Sequence, residues 1–319
     1  MRSTICDLQQ NRFHFIPNTL YDLLTEHAAW NIADIKKQYG NEHDDVIDEY
    51  YNFLTEHEYG FFTDRKTDWF VPLEMEWDAP SLITNMIVDC DALFDHDWGL
   101  LLPQINELGV VDIQIRQYGK FEMAAASKWF EMVSASRIKS VEWVALYDDT
   151  LPQQFYQPLL EYGRLRSLTL FGAESDELLH LTDTGFGNVF TVRQIITDES
   201  HCGIINPASF MVNMDSFMEA KRYNSCLNRK LSIDKHGDLC NCPSLPTRYG
   251  HIHDVPLKSV LDTPTFTSFW EITKDQINVC KDCEFRYVCS DCRAYTSNDG
   301  QYDKPLKCTY DPQKMTWAS

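Results

Sequence analysis

Positive charge is scarce in this chain. Its 28 Lys and Arg stand against 48 Asp and Glu, a formal net charge of -20, which repels phosphate backbones and anionic membrane surfaces. Nucleic acid is therefore not an expected partner. Long apolar runs are also missing: nothing approaches the roughly eighteen consecutive apolar residues that a spanning helix needs, so no membrane partner is expected. The opening residues, Met1-Arg2-Ser3-Thr4-Ile5-Cys6, run into Asp7 and Gln9 without an apolar signal core, which points to a reducing, cytoplasmic setting and against disulfides. With 13 Gly and 13 Pro in 319 residues there is no low-complexity segment and no Pro/Gly-rich linker. Domain boundaries must then come from changes of pattern. Cysteine is nearly absent from the first 200 residues, where only Cys6 and Cys90 occur. What is plentiful is apolar bulk: 44% hydrophobic and 13% aromatic residues suffice for the packed cores of two or three domains.

The last third holds the rest of the cysteine. Cys280-Lys-Asp-Cys283-Glu-Phe-Arg-Tyr-Val-Cys289-Ser-Asp-Cys292 places four thiols in thirteen residues, with Cys202, Cys226, Cys240 and Cys242 upstream and Cys308 downstream. Each Cys-x2-Cys pair lets two sulfurs converge from a tight turn, and soft thiolates select zinc, copper(I) or iron-sulfur clusters. Zinc is the main rival to iron and sulfide. Only five residues separate the two pairs, against the dozen or more of an ordinary zinc ribbon. Cys90 and Cys6 read as packed, unreactive thiols.

Residues 1–78 read as a small unit of strands and helices. Ile5 to Ile16 alternates (Phe13, Phe15) and stops at Pro17, as a strand or hairpin does. Asn18 is placed to cap a helix bearing Leu20, Leu23 and Leu24; Ile32 and Ile35 mark a second; Val46, Ile47, Tyr50, Tyr51 and Leu54 form the apolar stripe of a third after Asp44-Asp45. A short strand is expected at Phe61-Phe62, after Gly60. This order looks like the winged-helix precursor-recognition element of peptide-modifying systems, in which a leader peptide adds a strand to a sheet edge. A structural cap on the next domain is an equal reading.

Over residues 79–200, β-branched runs recur at Ile83–Val88, Val111–Ile115, Val141–Leu146, Leu168–Leu170 and Val192–Ile196, with helix-compatible segments between. That rhythm predicts parallel strands and helices, short of a closed eightfold barrel. A partial barrel fits, and it resembles the core of radical S-adenosylmethionine enzymes. Those enzymes hold their cofactor-cleaving cluster by Cys-x3-Cys-x2-Cys after the first barrel strand. Here that loop reads Asp89-Cys90-Asp91-Ala92-Leu93-Phe94-Asp95-His96-Asp97. Asp95, His96 and Asp97 read as loop or helix-end polar residues. Reductive cleavage of S-adenosylmethionine by this chain alone is not expected.

Residues 201–319 carry the most specific resemblance. Cys226, ten residues, Gly237, four residues, Cys242, then Cys280-x2-Cys283-x5-Cys289-x2-Cys292, then Cys308 resembles the SPASM domain that extends many radical S-adenosylmethionine peptide maturases. One step departs: two residues lie between Cys289 and Cys292, where the family has three. Asn-Ser-Cys-Leu-Asn-Arg-Lys at 224–230, Lys-Asp-Gln-Ile at 274–277 and Lys-Pro-Leu-Lys-Cys at 304–308 make the closer match to the SPASM-domain maturases of grasp-with-SPASM gene systems, which act beside an ATP-grasp ligase and lack the radical core motif. The resemblance implies one or two 4Fe-4S clusters, one held by Cys280, Cys283, Cys289 and Cys308, another by Cys226, Cys242 and Cys292. Cys202 is either the fourth thiolate of the second set or a packed cysteine beside Gly203. Cys240 and Cys242 alternate on an extended segment, and the Gly-x4-Cys spacing selects Cys242. His251 and His253 read as solvated loop residues. Pro256 to Trp270 is expected to shield a cluster, and Lys281, Arg286, Arg293 and Lys307 to offset its charge.

Three functions stay open at this point. The first is a cluster-bearing protein that binds a precursor peptide and presents it to the ligase. The second is a peptide oxidoreductase that needs a separate radical partner. The third is a zinc-stabilised interaction module.

Overall fold

The computed structural model describes residues 2–64, 70–71, 73–181, 187–298 and 300–318. The alternating N-terminal residues form an antiparallel hairpin, β1 (Arg2–Asp7) and β2 (Arg12–Pro17). Three helices follow: α1 (Asn18–Glu26), α2 (Ile32–Gln38) and α3 (Asp44–Glu56). Ile16, Leu20 and Leu54 make one small core, and Leu23, Ile35 and Ile47 another. The acidic pair Asp44-Asp45 sits in the first turn of α3, where the positive end of the helix dipole favours it. Two expectations fail here. Asn18 lies inside α1 rather than capping it, because Pro17 takes the cap position and the Asn18 carboxamide accepts from Ser3 Oγ at 3.0 Å. Phe61 and Phe62 form no strand; among the described residues no strand pairs with them, and they are 68% and 64% exposed.

The rest is organised on one large mixed sheet. Its elements in chain order are β3 (Asn85–Cys90), α4 (Trp98–Leu108), β4 (Asp112–Lys120), α5 (Met123–Val133), β5 (Ser140–Leu146), β6 (Leu165–Phe171), β7 (Glu177–Leu179) and β8 (Asn188–Val192). Then come α6 (Met214–Arg222), β9 (Lys230–Ile233), β10 (Leu239–Cys240) and α7 (Pro264–Thr267), with a last two-stranded ribbon of β11 (Tyr310–Asp311) and β12 (Thr316–Trp317). The strand order is β10-β9-β3-β4-β5-β6-β8-β7. β9, β3, β4, β5, β6 and β8 run parallel, and β10 and β7 flank them antiparallel.

From β3 to β6 each strand moves one place in the same direction, so right-handed crossovers put the connecting helices on one face. Trp98 and Leu101 of α4 and Trp129 of α5 accordingly share a core with Val88, Ile115 and Trp143 of the strands. The chain is thus mixed α/β, with an open sheet. The fifth expected strand is displaced: it ends at Val192, and Ile195 is 74% exposed. The sheet also crosses the boundary drawn at residue 200. β9, from the cysteine-rich segment, lies parallel to β3, with Asn85 opposite Lys230 and Val88 opposite Ile233.

Trp129 is fully buried, its ring 5.2 Å from that of Trp98 and 5.8 Å from that of Trp143. Trp129→Ala is expected to lower unfolding stability by about 3–5 kcal/mol, read from the urea midpoint at unchanged slope.

Candidate functional site: two buried groups of thiols

Local turns bring the first group together. Asn224 is buried, and its Oδ1 accepts from the backbone N–H of Cys226 (3.0 Å) and of Leu227 (2.9 Å), which builds the turn that presents Cys226 ahead of β9. Its Nδ2 donates to Asp291 Oδ2 at 2.7 Å and so ties this turn to the later cysteine stretch. Between β9 and β10 the chain reverses at Gly237, where φ is +88° and a Cβ would stand 2.6 Å from His251 Nε2. Only glycine fits both conditions, which gives the Gly-x4-Cys spacing a physical cause. Cys242 leaves β10 buried and makes a side-chain hydrogen bond with Cys202. Gly203 closes the group from the other side: a Cβ there would lie 2.8 Å from Cys292 Sγ. Cys226 acts electrostatically on both Cys242 and Cys292. Cys202, Cys226, Cys242 and Cys292 are therefore neighbours, and Cys292 belongs here despite its irregular spacing.

The second group is built from the close turns after Val279. A short 3-10 turn over Cys280–Asp282 lets Cys283 N–H reach Cys280 O at 3.0 Å, and Cys289 N–H reaches Phe285 O at 2.9 Å. Cys308 returns between Pro305 and Pro312, its N–H on Pro305 O at 3.1 Å. The four thiols Cys280, Cys283, Cys289 and Cys308 interact electrostatically with one another. Burial pushes Cys280 up to about 11 and Cys283 up to about 12. Phe285, Val288 and Tyr310 pack around Cys289, and the N-terminal hairpin covers them. Phe13 and Phe15 set their rings edge-on to Phe285 at 5.8 and 5.6 Å, Arg2 pairs with Glu284 at 2.9 Å, and Thr4 Oγ1 donates to Glu284 O at 2.8 Å.

The cations beside these thiols are not the ones the sequence suggests. Arg286 pairs with Asp275, Arg293 with Asp291, Lys307 donates to the Ser200 and Cys202 carbonyls, and Lys281 is exposed. The cations that reach sulfur are Lys274, whose Nζ is 3.3 Å from Cys289 Sγ, and part-buried Lys230, 3.6 Å from Cys226 Sγ. Burial alone would lower both lysines, and the neighbouring thiolates outweigh it and hold them charged. Arg116 acts on Cys202 from β4. Nothing in the sequence marks these three, because burial of a lysine or arginine is decided by long-range packing. The apolar bulk at Pro256–Trp270 is also used differently. Leu257, Val260 and Phe266 enter the sheet core, and Phe269 is the residue of that run that packs against both thiol groups.

The remaining candidates lie apart. Cys90 is buried at the end of β3, Cys6 packs under Phe285, and Cys240 turns its sulfur toward Ser232 O. Asp97 caps α4, Asp95 accepts from the Asp91 and Ala92 N–H groups, and His96 Nε2 lies 2.7 Å from Asp89 O. His251 meets His236 O, and His253 is exposed.

Four soft sulfurs per group suit an iron-sulfur cluster in number and kind. Among the described residues no group of three or more His, Cys, Asp or Glu is placed to hold a metal ion.

A cleft of 720 Å³ opens beside the second group. It is lined by five consecutive residues of β1, Arg2 to Cys6, by Tyr21, Phe217 and Lys221, and by the chain around Cys283. Side chains alternate along a strand, so five consecutive residues facing one cavity present the strand's edge. β2 is the only strand that pairs with β1 among the described residues.

No protein-family model matches this chain, and no curated protein does.

The Cys202–Cys242 hydrogen bond divides the pair. That bond, against the opposing burial and with Arg116 assisting, draws Cys202 down to about 5, while the same bond and burial hold Cys242 well above its ordinary value. In metal-free, reduced protein the iodoacetamide labelling rate of Cys202 should be nearly flat between about pH 6 and 8, where an ordinary thiol gains roughly tenfold per pH unit. Peptide-resolved mass spectrometry reads this directly. A Cys202 rate that climbs with pH like the others would show that no thiolate is held there.

Proposed function

We propose that this chain is a SPASM-type iron-sulfur protein that takes part in maturing a ribosomally synthesised peptide, binding the precursor and acting with an ATP-grasp ligase. One observation carries the reading. Eight of the eleven cysteines fall into two separate groups of four, and the division is the one the SPASM spacing implies. Cys202 completes the first group. In the proposal each group holds one 4Fe-4S cluster, which supplies electron transfer or an iron site for a peptide ligand.

The residues themselves take three tasks. The buried cation Lys274 opposes the burial that holds Cys280 and Cys289 protonated, and so favours their charged form. Phe269, Phe285 and Val288 exclude water from the thiols. The β1 edge offers unpaired backbone to an extended peptide, and strand addition of this kind gives affinity through main-chain hydrogen bonds. The N-terminal unit and the thiol stretch then form the two walls of one peptide-binding cleft. Cleavage of S-adenosylmethionine has no place in the proposal, since Cys90 is buried alone at the strand end where three ligands are required.

Protein purified without oxygen should carry about eight irons with matching sulfide. Cys289→Ser or Cys226→Ser should each lower this to about four. Zinc with negligible sulfide would make the thiol groups structural and would end the cluster reading. Tyr21→Ala and Lys221→Ala, both at the cleft mouth, should weaken precursor binding roughly tenfold in fluorescence anisotropy. Unchanged affinity would move the peptide elsewhere on the surface.

A further inference from the structure

Three cations are buried among the described residues: Arg116 (1% exposed), Lys274 (4%) and Arg293 (6%). Arg293 is answered at each nitrogen, with Nη2 on Asp291 Oδ1 at 2.8 Å, Nε paired with Asp291 Oδ2 at 2.7 Å and Nη1 on the Gln301 and Asp303 carbonyls. The other two are not. Arg116 gives Nε and Nη2 to Asp89 at 2.5 and 2.7 Å, and its Nη1 is buried with no hydrogen-bond partner. Lys274 Nζ donates to Ser290 O at 2.7 Å and to Cys289 Sγ at 3.3 Å. Its nearest carboxylate, Asp291, stands 3.9 Å away and is already engaged by Arg293 and Asn224.

Burying a cation is costly unless an anion answers it. The unused capacity of Lys274 lies beside sulfur, at Cys289 of the second group, and Lys274 comes from the segment just before the thiol stretch.

We infer that Lys274 is an outer hydrogen-bond donor to the sulfur of Cys289 in the second bound group, and that it raises the reduction potential of that site. The inference rests on the cluster reading above. An added electron makes a thiolate-bound cluster more negative, and a fixed positive charge or an N–H donor at sulfur favours that state over the oxidised one. Lys274 does not ligate iron. It acts through the sulfur, so its removal leaves the ligand set intact.

The test is an anaerobic dithionite titration of the reconstituted full chain, one electron per cluster, followed by electron paramagnetic resonance with iron and sulfide measured on the same sample. Lys274→Gln should lower one midpoint by at least a tenfold change in the reduction equilibrium, about 59 mV for one electron, and leave the other in place. Lys274→Arg keeps the charge and should stay near the parent value. Loss of about four irons in Lys274→Gln would overturn the inference, since a residue that acts only through the sulfur leaves the iron content in place. Full iron content with an unmoved midpoint in Lys274→Gln would overturn the inference alone. Parent protein that takes up no iron and sulfide would overturn the cluster reading first, and this inference with it.

Discussion

The parallel pairing of β9 with β3 is the constraint on which both thiol groups depend. It joins residues about 145 apart in the chain, with Thr84 N–H on Arg229 O at 2.9 Å and Arg229 Nη1 on Ser81 O at 2.8 Å. Cys226 enters this pairing and Cys242 leaves it through β10, so the first group is seated at the edge of the sheet core. Asn224 then bridges to Asp291, and through Asp291 to the stretch that carries the second group. A thiol site on a free loop would lose its geometry whenever the loop moved. Here the ordering cost is met by the backbone ladder of a central sheet, and little is left for a bound group to supply.

Much of this was legible in the sequence, for reasons that differ from place to place. β-branched runs at regular spacing announced β3 to β6, because a strand that buries one face more than the other leaves alternating apolar residues, as Val141, Trp143 and Ala145 do in β5. The division of cysteines between two groups was what the SPASM resemblance implied, with Cys292 at the one step that departs from the pattern and Cys202 open between a fourth thiolate and a packed cysteine. What stayed hidden was long-range. β9 is four residues long and reads Lys-Leu-Ser-Ile, too short to separate from a loop by pattern. The strand expected at Phe61-Phe62 was inferred from aromatic residues that find no partner strand among the described residues. Lys274 and Arg116 look like any surface cation until the fold surrounds them. Pro256–Trp270 was rightly read as apolar, yet α4 supplied a nearer surface than the thiols: Leu257 N–H meets Gln104 Oε1 at 2.8 Å.

Charge is sorted radially. The chain carries an excess of 20 negative charges, while among the described residues the three buried cations Arg116, Lys274 and Arg293 are matched by three buried carboxylates, Asp89, Asp234 and Asp291. The excess acid therefore faces solvent. Surface acid and internal base do different work: the first acts over about a Debye length and fades with salt, and the second acts at contact distance and does not.

The two edges of the large sheet are only two and three residues long, β10 and β7, and both run antiparallel to the strands they flank. An exposed edge is a template on which another chain can add strands, and the hazard grows with the length of unpaired backbone. Six parallel strands would present long edges if left bare. Capping them with such short segments leaves little for a second copy to pair with, and strong like charge keeps copies apart. A sheet of this width can thus persist at high concentration without growing from its sides.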